Sequence, residues 1–133
     1  MADAVASQTL IDGDRVAILK FTNISDGTGE TGVIKVDVST LSAPAGKVCS
    51  SVSIDRIYAS TVGMGVDILW DATTDVVAMT LGPDQFYEYK FDDIGGLWNN
   101  AGAGKTGDIL FTTTGASGGD RYTIILYLSK KYA

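Results

Sequence analysis

Gly102-Ala103-Gly104-Lys105-Thr106-Gly107 has the residue types of a phosphate-binding loop. Such a loop needs a glycine five residues before its final Gly-Lys pair, and Asn99 stands there. It also needs a following helix whose N-terminal amides hold the phosphates. Here Asp108-Ile109-Leu110-Phe111-Thr112-Thr113-Thr114 follows, a run of β-formers. Asp26-Gly27-Thr28-Gly29-Glu30 offers oxygen ligands at alternate positions but lacks the ligand count of a calcium loop and its closing bidentate glutamate. Asp92-Asp93 is a carboxylate pair of the sort glycosidases use, placed in turn-forming surroundings where water reaches both acids. Cys49 has the character of a small buried hydrophobe.

The chain has no histidine and a single cysteine. Histidine-based triads and general bases, ordinary zinc catalysis and paired-cysteine metal motifs are thereby excluded. The sequence therefore predicts no enzyme activity, no catalytic or metal-binding residue and no cofactor. Ten basic residues stand against sixteen acidic ones, a formal net charge of −6. Without a basic patch, neither nucleic acid nor an acidic membrane surface is an expected partner. Lys130-Lys131 reads as a solvated end.

The aromatic residues carry more. Phe86, Tyr87, Tyr89 and Phe91 crowd one segment, and Trp98 lies in the glycine-rich stretch beyond it. Period-two geometry puts Tyr87, Tyr89 and Phe91 on one face and Phe86, Glu88 and Lys90 on the other. Two readings follow: one face is simply core, or these residues form a contact surface, with Trp70, Trp98 or Tyr87 as stacking platforms in the sugar-binding alternative.

The elements that must position these residues are strands. Aspartate occurs at fourteen positions and glutamate at two, with sixteen glycines, a composition suited to short strands and turns. Strands are expected at 15–21, 33–38, 48–58, 65–70, 76–81, 86–91, 108–114 and 122–129. In the second, alternation sets Ile34, Val36 and Val38 inward and Lys35 and Asp37 outward. Asn23 to Gly29 reads as a turn. No window has helical periodicity, and no apolar run approaches the length of a bilayer span. The opening residues lack the basic start and apolar stretch of a signal peptide. At 133 residues, the expectation is one all-β domain, an antiparallel sandwich of about eight strands, of jelly-roll type. Residues 1–14 are set apart as an extended N-terminal arm, with the sandwich at 15–133. In that arm Leu10 and Ile11 are the bulky apolar pair, expected to order against a neighbour.

Two blocks, Ile57 to Ala72 and Gly95 to Ile109, together with Tyr122-Thr123-Ile124-Ile125-Leu126 and the Asp26–Glu30 turn, resemble small structural proteins of tailed bacteriophages. Within that group the chain is most similar to capsid decoration (cement) proteins. The resemblance implies a virion protein made in the bacterial cytoplasm. It would bind the exterior of the major capsid lattice, without catalysis, and form a homo-oligomer, favoured as a trimer. Interface candidates are Leu10, Ile11, Tyr87, Tyr89, Phe91 and Trp98. The alternatives are another virion part, such as a tail or head fibre, and a carbohydrate-binding sandwich module.

Overall fold

The computed structural model describes residues 4–132. Its strands are β1 (Ala4–Asp12), β2 (Val16–Asp26), β3 (Val33–Val36), β4 (Cys49–Val62), β5 (Gly65–Trp70), β6 (Val76–Leu81), β7 (Phe86–Lys90), β8 (Ile109–Thr114) and β9 (Gly118–Tyr132). Alternation explains most of them. In β9, Tyr122, Ile124, Leu126 and Leu128 are buried while Thr123, Ile125, Tyr127 and Ser129 between them are half-buried. β5 does the same with Val66, Ile68 and Trp70.

The strands form two antiparallel sheets, ordered β1-β2-β9-β4-β7 and β3-β8-β5-β6. Apart from the β1–β2 and β5–β6 pairs, each connection carries the chain to the other sheet. That alternation is jelly-roll topology, with β1 added outside the usual eight strands. The core lies between the sheets and holds Phe21, Ile54, Ile57, Ile68, Trp70, Leu81, Phe111 and Ile124. Gly107 shows why a glycine closes the loop into β8: it has φ +89°, and a Cβ there would sit 2.1 Å from the Ser50 carbonyl oxygen.

Four sequence expectations are corrected. The segment 1–14, expected as a separate arm, holds a strand of the larger sheet: Ala4 to Asp12 pair in antiparallel register with Ile24 to Ala17, through a bulge between Thr9 and Ile11. Backbone ladder bonds do there what side-chain burial does not, since eight of its nine residues are exposed. Met1, Ala2 and Asp3 lie outside the described residues. Asn23 to Asp26, expected as turn, continue β2, because Asn23 and Ser25 face inward and are buried.

In β3 a bulge between Ile34 and Val36 breaks the alternation. Ile34 is 53% exposed, while Val36 and Val38 are buried and the Lys35 side chain is only 5% exposed. Finally, β9 runs on to Tyr132, and its period carries Lys130 inward. That side chain is fully buried rather than a solvated end.

Candidate interaction surface

β1 lies at one end of its sheet, so one edge faces β2 and no strand among the described residues pairs with the other. From Ala4 to Ile11 it has no charge and no proline, the devices that ordinarily blunt an edge. It is also the longest of the four edge strands: β3 has four residues, β7 five and β6 six. Val5, Leu10 and Ile11 are about half exposed along it.

The outer face of the same sheet continues this surface. Ile11 pairs with Ile18, Ile18 with Tyr127, and Tyr127 with Arg56, a row running across four strands. The Arg56 guanidinium lies 5.9 Å from the Tyr127 ring centroid, and Tyr58 meets Tyr127 edge to face at 5.5 Å. Ile125, between Lys20 and Tyr58, adds apolar area. Phe86, at the end of β7, is 71% exposed.

The aromatic strand divides between core and surface. Tyr87, Tyr89 and Phe91 form a stacked ladder with centroids 5.4 and 6.2 Å apart, half-buried against the core. Gly82 N–H donates to the Tyr87 hydroxyl oxygen at 2.8 Å, tying the ladder to the end of β6. Phe86 is the aromatic residue of that strand that faces out, beside Glu88 and Lys90. Trp98 is 62% exposed; its Nε1–H donates to the Gly95 carbonyl, and the Lys131 ammonium lies 4.3 Å from its ring centroid. Trp70 is wholly buried and offers no platform.

The remaining sequence candidates disperse. The Gly102–Gly107 loop leads into β8, and the Thr106 hydroxyl donates to Asp71 Oδ2 at 2.8 Å. Asp93 sits on a short 3-10 turn; the side chain of Asp92 lies outside the described ones. Cys49 is buried, and that burial pushes its thiol above the usual range. Burial likewise raises the Asp108 carboxyl, against the hydrogen bond from Val38 N–H and with the charges of Asp37 and Asp71 adding to it. Among the described residues no three or more histidine, cysteine, aspartate or glutamate side chains gather as a metal site would require.

Two buried ion pairs escaped sequence reasoning. Lys130 Nζ contacts Asp12 Oδ1 and donates to the carbonyls of Gly13 and Ser42, the latter at 2.7 Å. Burial raises the Asp12 carboxyl, but the Lys130 hydrogen bond, the Ser42 N–H and the lysine charge outweigh it and hold it below its usual range. At the other pair, Lys35 Nζ lies 2.5 Å from Glu30 Oε2. Asn23 Nδ2 and the Tyr122 hydroxyl both donate to Glu30 Oε1, at 2.9 and 2.6 Å. The available signal was rarity: Glu30 is one of two glutamates in an aspartate-rich chain.

The fold defines an all-β, two-sheet jelly-roll sandwich. No family model matches the chain, and no curated protein matches it. Three solved structures are similar in outline. A cupin domain from Bordetella pertussis Tohama I aligns at 12% identity over 98% of this chain and 97% of that one, with a TM-score of 0.37. A mutant of a family 29 carbohydrate-binding module aligns at 11% identity over 96% and 93%, TM-score 0.41. The cobalt(II) form of HppE with Tris buffer aligns at 8% identity over 94% of this chain and 52% of that one, TM-score 0.33. Likenesses this distant carry no functional argument.

Proposed function

We propose that this chain is a non-enzymatic structural protein of a tailed-phage virion, which binds the exterior of the capsid lattice and stabilises it. The observation that carries the reading is the long uncharged edge of β1, continuous with the apolar outer row Ile11, Ile18 and Tyr127. An extended segment of a partner can add to such an edge through main-chain hydrogen bonds, while the apolar row supplies contact area. In this reading the partner is the major capsid protein, and a homo-oligomer, favoured as a trimer, presents the edge at repeating lattice positions. A net charge of −6 favours solubility of many copies before assembly. Leu10, Ile11 and Phe86 then take the contact role, with Trp98 at its periphery; Tyr87, Tyr89 and Phe91 pack against the core behind Phe86.

The test is co-sedimentation of the purified protein with capsids, beside the Val5→Lys variant. Val5 is 50% exposed, so the substitution should leave unfolding within about 0.5 kcal/mol of wild type. Occupancy of the shell should fall at least several-fold. Wild-type protein that fails to sediment with capsids, or saturable binding to glycans at the exposed Trp98, would replace this reading.

A further inference from the structure

The buried pair at Glu30 has a third member whose chemistry is not that of an ordinary ion pair. One carboxylate holds an amine and a carboxamide at once: Lys35 Nζ on Oε2 at 2.5 Å and Asn23 Nδ2 on Oε1 at 2.9 Å. The Lys35 and Glu30 side chains are 5% and 6% exposed, and Asn23 is 1% exposed. Aromatic rings wall the group. Lys35 Nζ lies 6.0 Å from the Phe111 centroid, Phe21 and Tyr122 meet Phe111 edge to face at 5.4 and 5.8 Å, and all three rings are buried. Glu30 is also held by its backbone, since its N–H donates to Thr113 Oγ1 at 2.8 Å and its carbonyl accepts from Thr113 N–H at 2.9 Å.

We propose that Lys35 and Asn23 join in an intramolecular isopeptide bond, formed by the protein itself with Glu30 as the proton carrier. Glu30 Oε2 takes a proton from the Lys35 ammonium, leaving a neutral amine beside a neutral carboxyl, a charge state that an apolar interior accepts. The amine lone pair adds to Asn23 Cγ. Glu30 then passes its proton to the carboxamide nitrogen seated on Oε1, which leaves as ammonia with the electrons of its bond to Cγ. The second proton of the former Lys35 amine returns to Glu30 and departs with the ammonia as ammonium. One C–N bond forms, one breaks, and ammonium is released. No oxidant, reductant or cofactor enters. Fixed neighbours of this kind replace a bimolecular encounter with an intramolecular one. Lys35 also lines a cavity of about 200 Å³ with Ser7, Thr9, Leu19 and Phe21.

The bond would be structural in effect. Asn23 is on β2 and Lys35 on β3, which belong to different sheets, so the link would clamp the sandwich across its core. It stands independently of any capsid partner.

Intact-mass spectrometry of the purified full chain tests it. The expected mass is below the sequence mass by one ammonia, and Lys35→Arg and Glu30→Gln should each restore the full mass. Trypsin adds a second readout, because it does not cut after an acylated lysine. Residues 21–47 should then emerge as one peptide, lighter by ammonia and uncut at Lys35. A wild-type chain at full sequence mass overturns the proposal. So does a loss of ammonia with normal cleavage after Lys35, which would mean that Asn23 had cyclised onto its own backbone.

Discussion

Lys35 and Lys130 are both buried lysines paired with a carboxylate, yet their surroundings differ in kind. Lys130 is wrapped by Asp12 and by the carbonyls of Gly13 and Ser42, oxygen acceptors brought from the β1–β2 turn and the loop after β3. Its carboxylate partner retains 20% exposure, so water still reaches one side of the pair. Lys35 meets a carboxylate that is itself buried and shared with Asn23 and Tyr122, under an aromatic ring. The first arrangement satisfies an ammonium and fastens a chain end. The second seats an ammonium and a carboxamide on the two oxygens of one buried carboxylate. The difference lies in what each carboxylate also holds, and the proposed crosslink rests on it.

The comparison breaks most sharply at Glu30. Glu30→Ala removes the carboxylate of that cluster and leaves the Lys35 ammonium without its partner. Uncompensated buried charge costs on the order of 3–5 kcal/mol, and chemical denaturation should show a loss of that size. A loss under about 1 kcal/mol would mean that the pocket readily admits water.

Lys130→Met should cost less, about 1–3 kcal/mol, because the Gly13 and Ser42 carbonyls lose a donor while Asp12 regains water. Equal losses for the two variants would erase the distinction between the sites.

The smallest effect is a pH dependence. The Asp12 carboxyl is held below its ordinary value of 3.8, so its contribution is complete above that value and is lost as pH falls through the lower folded one. Unfolding midpoints followed from neutral to strongly acid pH should therefore fall less steeply below about pH 4 for Asp12→Asn than for wild type. Matching slopes would show that Asp12 contributes nothing to the acid limb.

Much of the scaffold could be read from residue order, and little of the candidate surface could. The limits of β5 and β6 agree with the expected 65–70 and 76–81, because local alternation and flanking turn residues suffice to set them. Trp98 and Phe86 were recognisable as aromatic, but not which ring of the 86–91 segment would face out. That depended on which face of β7 met the core, through the pairing of Tyr89 with Ile57 and Tyr87 with Ala59. β1 was hidden for a related reason. Its side chains bury little, so its place rests on backbone bonds to β2 that leave no hydrophobic pattern.

From its sequence alone this protein was committed to β-structure, to acidity and to chemistry without histidine, since composition and period two are properties of neighbouring residues. The crossing of sheets, the free edge of β1 and the two buried lysines were decided by the tertiary structure. Asp12 and Lys130 are 118 residues apart, and Glu30 and Tyr122 are 92 apart. A polar group enters a core only when such a distant partner arrives to satisfy it, and no local pattern records that arrival.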